Sequence, residues 1–116
     1  MKKVLLVLLS LLLASCDYKV HWEDEMYAVY QIDNSPVSLG IKVGEHDYIK
    51  RFIAPFSVGS NDEYLVIKNS TGYTYVVKSE DSWKFDNKEG HFGPFDEPEF
   101  NEIKKKLGLP DFESDF

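Results

Sequence analysis

The three histidines of this chain are candidate zinc ligands, and their spacing in the sequence tests that role. His21, His46 and His91 are its only imidazoles. A zinc site needs ligands that converge on one point, usually from closely spaced pairs of His or Cys. No such pair occurs here, so the sequence predicts no zinc site and places these histidines on the surface or in turns.

The segment DSWKFDNKEG carries oxygen groups of the kind that calcium binds. These are Asp81, Asp86, Asn87 and Glu89. The DxDxDG spacing of a calcium loop is absent, so a solvated turn is the prediction for this segment.

Carboxylates and hydroxyls that could serve catalysis also lack the required setting. The pairs Asp62–Glu63 and Glu80–Asp81 flank predicted turns, whereas a general acid needs burial to raise its pKa. Ser57 and Ser60 have no nucleophile-elbow motif around them. We therefore predict no catalytic, metal or cofactor-binding residue and no enzymatic activity.

The lone cysteine, Cys16, closes an apolar stretch at the start of the chain. Lys2 and Lys3 precede an apolar run from Val4 to Leu13 that only Ser10 interrupts, which is the layout of an export signal. A spanning helix needs about 20 apolar residues, so this run is too short for an anchor.

The residues Leu13, Ala14, Ser15 and Cys16 resemble the lipobox of bacterial lipoproteins. The resemblance implies cleavage before Cys16, removal of residues 1–15 and acylation of the cysteine. A single cysteine has no internal disulfide partner, which favours modification. The alternative is an incidental thiol with ordinary cleavage near Ser15.

Lipidation would attach the mature chain to a bilayer without a spanning helix. Two or three acyl chains make such anchorage effectively permanent. Asp17 resembles the inner-membrane retention signal of proteobacterial lipoproteins, which implies the inner membrane, facing the periplasm. Residues 16–25 are predicted to be the lipidated cysteine and a tether, and residues 26–116 a single small domain.

Net charge limits the partners of the mature chain. Loss of Lys2 and Lys3 with residues 1–15 changes the formal charge from -7 to -9. Such a charge disfavours nucleic acid and anionic headgroups, because both would repel it, and it suits a basic protein partner.

From Met26 onward, alternating apolar and polar residues predict strands. MYAVYQID and VSLGIKV flank the turn NSP, YIKRFIAPFSV is a third segment bent at Pro55, and EYLVIK and YTYVVK form a hairpin around NSTG. WKF is a candidate edge strand. The pattern predicts antiparallel pairing throughout.

The segment DEPEFNEIKKKLGLP predicts a helix of about 12 residues. Asp96 is the candidate N-cap, with Glu99 at capping-box spacing and Pro98 in the first turn. Gly108 fits the C-terminal cap position and Pro110 prevents continuation. Phe100, Ile103 and Leu107 share one face, which is expected to cover the sheet. Phe95 precedes the cap as a hydrophobic staple. The helix macrodipole favours positive charge at the C-terminal end, where Lys104, Lys105 and Lys106 lie.

The C-terminal segment GPFDEPEFNEIKKKLGLP is similar to the signature of a family of small bacterial secreted or lipid-anchored proteins, known only as a domain of unknown function. The matching positions are Gly93, Pro94, Glu99, Phe100, Leu107, Gly108, Leu109 and Pro110. The hairpin EYLVIK to YTYVVK also resembles the family's central strands. The resemblance implies a fold and no catalytic residue.

These observations together predict an α+β fold, an antiparallel meander of four or five strands with one C-terminal helix packed on it. The predicted function is a membrane-anchored bacterial lipoprotein that binds a protein partner in the cell envelope, as an inhibitor or immunity protein would. The alternative is a structural or assembly accessory of an envelope complex.

Overall fold

Two antiparallel sheets packed face to face form the frame of the molecule. The computed structural model describes residues 18–45, 47–82, 84 and 87–116. The N-terminal sheet has the strand order β1 (Tyr18–Glu23), β2 (Tyr27–Ile32), β3 (Ser38–Lys42), β4 (Tyr48–Ile53). The C-terminal sheet has the strand order β8 (His91–Phe95), β7 (Gly72–Val77), β6 (Tyr64–Asn69), β5 (Ser57–Ser60), β9 (Ser114–Asp115). A single helix of the described residues, α1 (Glu97–Leu107), lies between β8 and β9 in the chain.

The predicted mixture of antiparallel sheet and one C-terminal helix is confirmed, but the single meander of four or five strands is wrong. Nine strands occur in the described residues, and they divide between two sheets. Strands β2 and β6 carry runs of consecutive buried residues, Tyr27–Tyr30 and Leu65–Ile67. Tyr27 and Val29 of β2 meet Leu65 and Ile67 of β6 in one core between the sheets, a contact that a single meander could not make.

The third predicted segment, YIKRFIAPFSV, is two strands in different sheets. Ala54 has a φ of 50°, in the left-handed region, and buried Pro55 has no N–H for a strand ladder. The chain therefore leaves the N-terminal sheet after β4 and enters the C-terminal sheet at β5.

The predicted tether of residues 16–25 is corrected over most of its length, because Tyr18–Glu23 form β1. Trp22 packs against the core and donates its indole N–H to Glu113 over 2.9 Å. Cys16 and Asp17 lie outside the described residues. So do two of the three residues of the predicted strand WKF, Trp83 and Phe85, while β8 was not predicted at all.

The two hairpins were predicted correctly. Strands β2 and β3 pair across the turn that contains Pro36, and β6 and β7 pair with Asn69 opposite Gly72. Asn69 accepts a bond from the Thr71 amide over 3.0 Å, and Gly72 has a φ of 132°, which suits glycine.

The main core lies between the sheets. Its fully buried members are Tyr27, Val29, Leu39, Ile41, Val58, Leu65, Ile67 and Val76. A second cluster lies between the C-terminal sheet and α1 and contains Val66, Phe100 and Leu109. The order of layers is thus sheet, sheet, helix.

The caps of α1 agree with the prediction. The Asp96 carboxylate accepts a bond from the Glu99 amide over 2.9 Å, and Gly108 adopts a left-handed φ of 70°. The predicted buried face is shorter than expected: Phe100 is buried and Ile103 is half-buried, but Leu107 is exposed. The helix covers the sheet mainly through its first two turns.

Candidate functional site

A buried carboxylate organises one end of the sandwich. Asp81 follows the 3-10 turn Lys78–Glu80 after β7, and its side chain is 0% exposed. The Tyr27 hydroxyl donates to Oδ2 over 2.6 Å. The Ser82 amide and the Asn87 side chain donate to Oδ1 over 2.9 and 2.8 Å. This carboxylate therefore ties β2 of one sheet to the loop that leaves the other sheet.

A β-bulge turns an arginine toward this carboxylate. Leu39 pairs with Phe52 and Gly40 with Lys50, so Arg51 is an extra residue between two ladder positions. A bulge interrupts the alternation of side chains and redirects one of them. Arg51 and Phe52, although consecutive, can therefore both face the interior.

Arg51 and Asp81 form a buried ion pair. The Arg51 side chain is 2% exposed, and its Nε lies 3.3 Å from Oδ1 of Asp81. Its Nη2 also donates to the carbonyl oxygens of Ser82 and Lys84. The additional bonds satisfy the guanidinium, as a buried ion pair requires. The pair thus fastens β4 to the loop after β7.

The protonation states of the two central groups follow from these contacts. Burial alone would raise the pKa of Asp81, but contacts with His91, Tyr27 and Asn87 and the charge of Arg51 hold that pKa well below its usual range. Burial and the bond to Asp81 raise the pKa of the Tyr27 phenol far above its ordinary value. The site is therefore a fixed anion with a fixed donor, and a group so hard to protonate is a poor general base at neutral pH.

His91, on β8, faces the same carboxylate without a close bond to it. Its Nε2 lies 3.6 Å from Oδ1 of Asp81, too far for a good hydrogen bond. That nitrogen is buried and has no hydrogen-bond partner among the described residues. The imidazole stacks on Phe52 with 5.6 Å between ring centroids.

A cleft of about 370 Å³ opens beside this network, between β4 of the N-terminal sheet and β7 and β8 of the C-terminal sheet. This volume lies in the range of small-molecule sites. Its polar and charged lining residues are Lys50, Arg51, Asn69, Thr71, Thr74, Asn87, Lys88 and His91. No aspartate or glutamate of the described residues lines it.

The cleft is positively charged although the chain is acidic. The charge of Arg51 is balanced by Asp81. Lys50 and Lys88 are exposed, and neither makes an ion pair with any acid of the described part of the chain. Two positive charges therefore remain in the cleft.

A second feature is the outer face of the N-terminal sheet, which we call the tyrosine face: Tyr18, Tyr30, Ile32, Tyr48 and Ile53. Tyr30 stacks on Tyr48 at 4.4 Å, and Tyr18 contacts Tyr48 edge-on at 5.9 Å. Ile32 is 53% exposed and Ile53 63% exposed. The helix covers the C-terminal sheet, and no helix of the described residues packs on the tyrosine face.

A glycine makes the tyrosine stack possible. A Cβ on Gly40 would lie 3.1 Å from the Tyr30 ring, 3.1 Å from the Tyr48 Cβ and 2.9 Å from the Ile49 carbonyl oxygen. Tyr30 can therefore lie flat across the strand at this position, and it is almost fully buried by its neighbours.

The structure disperses most residues that the sequence offered for chemistry. His21 is exposed and bonds the Gln31 side chain, and the Ser57 hydroxyl donates to Asp115. Ser60 lies in β5, while Asp62, Glu63, Glu80 and Glu89 are exposed. His46 and Asp86 lie outside the described residues.

Two predictions about individual residues were wrong, and two residues were missed. Asp81 is buried instead of solvated, and His91 lies in a strand beside it instead of on the surface or in a turn. Tyr27 and Arg51 were not predicted. The sequence offered one signal for Arg51. It lies in the apolar segment YIKRFIAPFSV beside Phe52, where the strict alternation of polar and apolar residues in a strand fails.

Comparison of the chain with protein-family models, with curated proteins and with solved structures gave no match. Within the described residues, no helix is long and apolar enough to cross a membrane. In the same part of the chain, no three His, Cys, Asp or Glu side chains are grouped as metal ligands.

Proposed function

We propose that this chain is a lipid-anchored protein of the bacterial cell envelope that binds a protein partner and catalyses no reaction. Acylation of Cys16 would hold it at a membrane, with Asp17 favouring the inner membrane and the periplasmic side. The resemblance to a family of small lipid-anchored proteins is part of this proposal.

The tyrosine face is the observation that carries the proposal. Tyrosine is enriched at protein interfaces because a large rigid ring and one polar group bury area at little entropic cost. Ile32 and Ile53 expose more than half of their surface beside this stack. Exposed apolar groups gathered on one face are typical of a binding surface. A hollow of about 310 Å³ between these residues, lined also by Pro36, could receive a partner's side chain.

The net negative charge of the whole chain suits a basic partner. A groove of about 870 Å³ at another part of the surface is lined by Asp24, Glu25 and Asp62, together with Lys78. Lys78 is already paired with Asp24 at 2.7 Å. The remaining negative potential would accelerate encounter with a basic protein.

Site-specific crosslinking in intact cells tests the proposal. A photoreactive amino acid is placed at Ile53 or, as a matched control, at Leu107 on α1, which is 42% exposed. We expect a reproducible protein adduct from position 53 and none of the same mass from position 107. Equal adducts from both positions, or none from position 53, would contradict the proposed interface.

The salt dependence of association then tests the electrostatic part. A basic partner steered by this charge should associate more slowly as ionic strength rises, whereas an apolar contact should change little. Reproducible substrate turnover by the purified protein, with no stoichiometric partner, would overturn the non-catalytic role.

A structural or assembly role in an envelope complex is the second candidate, and the position of β1 at one end of the N-terminal sheet favours it. Within the described residues, β1 pairs on one side only, with β2. A free edge can accept a strand from another protein. A photoreactive residue at Val20, which is 42% exposed, should crosslink to the partner in place of position 53 if this role is correct.

A further inference from the structure

We propose that the cleft between the sheets binds a small anionic ligand through a phosphate or carboxylate group held by Lys50 and Lys88. The cleft shares one lining residue, Lys50, with the hollow of the tyrosine face, whereas Lys88 lines the cleft and not that hollow. The proposal does not depend on a protein partner.

The charge balance of the cleft is the first argument. Arg51 and Asp81 cancel each other, so the buried network neither attracts nor repels a ligand strongly. Lys50 and Lys88 have no acidic partner in the described ranges. An acidic chain has many carboxylates that could neutralise two lysines, yet none of the described ones lines this cleft.

The uncharged lining residues are the second argument. Thr74 brings a hydroxyl group and Asn69 brings an amide, whereas the Thr71 hydroxyl already donates to Asn69 and the Asn87 amide donates to Asp81 and Glu89. Donors of this kind complete the coordination of an oxyanion beside a lysine and can also bond the hydroxyls of an attached sugar or polyol. Phe52 and Phe92 add apolar wall. The lining is mainly polar, which suits a small charged ligand better than an apolar one.

The rigidity of the cleft is the third argument. Its walls come from both sheets, and the Asp81 network fastens β2, β4 and the loop after β7 to one another. A preformed site loses less conformational entropy when a ligand binds. His91 lies in the same wall, with its buried Nε2 on the side of Asp81.

A titration followed by ¹H–¹⁵N NMR tests the proposal on the full-length protein in uncharged detergent. The probes are inorganic phosphate, ribose 5-phosphate and, as the neutral control, ribose. We expect saturable shifts of the Lys88, His91 and Gly93 amides with the two phosphates and none with ribose.

Matched variants separate specific binding from general charge effects. Lys50→Gln and Lys88→Gln are compared with Lys105→Gln and Lys106→Gln on α1, which change the net charge equally at exposed sites. A charge-assisted bond contributes about 1.5 to 3 kcal/mol, so each cleft variant should weaken binding about tenfold or more. The helix variants should bind as the wild type does.

A second experiment distinguishes a lipid headgroup from a soluble metabolite as the source of the anion. The same amides are followed in nanodiscs of phosphatidylglycerol and of phosphatidylcholine. Shifts specific to phosphatidylglycerol, and lost in Lys88→Gln, would assign the anion to a lipid headgroup; shifts with soluble phosphates alone would assign it to a free metabolite. The proposal is overturned if no probe shifts these amides, if ribose shifts them equally, or if Lys50→Gln and Lys88→Gln bind as tightly as the wild type.

Discussion

The Tyr27 hydroxyl donates a 2.6 Å hydrogen bond to Oδ2 of Asp81, 54 residues further along the chain. Tyr27 of β2 is in the core between the sheets, and Asp81 follows the 3-10 turn Lys78–Glu80 after β7. The bond is one of several polar links between the two sheets, together with Arg51–Asp81, Lys78–Asp24 and Trp22–Glu113. Both groups are buried, so water cannot easily replace either one.

Replacement of Tyr27 by Phe should lower the free energy of unfolding. The variant keeps the ring in the core but leaves Oδ2 of Asp81 without this donor, which typically costs about 1 to 3 kcal/mol. Urea denaturation measures the change. Tyr30→Phe is the matched control, because the Tyr30 hydroxyl has no hydrogen-bond partner among the described residues, and it should change stability little. Equal losses in both variants would mean that the bond contributes nothing specific.

Stability should fall in acid because of Asp81. Its pKa is lower in the folded chain than the value of about 4 expected when unfolded, so its stabilisation is present above that value. It is lost progressively as the pH drops below about 4 toward the folded pKa. Urea midpoints measured between neutral pH and acid should show this loss.

The variant Asp81→Asn should remove part of that acid dependence and should also be less stable at neutral pH. Loss of one partner from a buried ion pair typically costs about 3 to 5 kcal/mol, because the other charge stays buried. Here the Arg51 guanidinium would stay buried without the Asp81 carboxylate. Some acid dependence should remain, because the pKa of Asp24 is also lowered in the folded chain. Burial raises this pKa, but bonds from Lys78 and the Tyr27 amide lower it by more. The exposed variant Asp62→Asn should follow the wild type. Parallel curves for wild type and Asp81→Asn would refute this role.

Gly59→Ala should displace the C-terminal segment from β5. A Cβ at Gly59 would lie 1.9 Å from the Asp111 carbonyl oxygen, a backbone atom that must move. Overpacking of this kind typically costs about 1 to 3 kcal/mol. Amide exchange should accelerate at Glu113, which donates to the Val58 carbonyl over 2.8 Å. Gly44→Ala, whose nearest contact is the movable Asp47 side chain at 3.2 Å, should leave this exchange rate unchanged.

Cys16→Ser should abolish acylation, because only the thiol can form the thioether. The measurement is incorporation of labelled palmitate in a bacterial host. Ser10→Ala, in the apolar run, keeps the lipobox-like residues and should be labelled as the wild type is. Equal labelling of wild type and Cys16→Ser would refute lipidation at this residue.

Local chemistry made the helix predictable from the sequence alone. The Asp96 cap and the Gly108 stop act within a few residues of the positions that they influence. The hairpin around Asn69 and Gly72 was predictable for the same reason, since its turn bonds join near neighbours. Leu107 was predicted wrongly because burial depends on where the sheet ends beneath the helix.

The division into two sheets was not predictable from periodicity. Period-two patterns indicate which side chains share a face but not which strand lies beside another. β1 was missed because its exposed acidic and basic residues resemble a tether, and its strand exists through pairing with β2. β8 was missed because Gly93 and Pro94 interrupt its pattern.

The helix with its caps, the two hairpins and the acidic composition could all be predicted from the sequence, because each depends on neighbouring residues or on simple counting. The meeting of Tyr27, Arg51, Asp81 and His91 depends on the tertiary fold, since residues up to 64 positions apart come together only when the sheets pack. The positively charged cleft of this acidic chain likewise depends on folding. Net charge is a sum over the whole chain, whereas a site depends on the few charges that folding brings together.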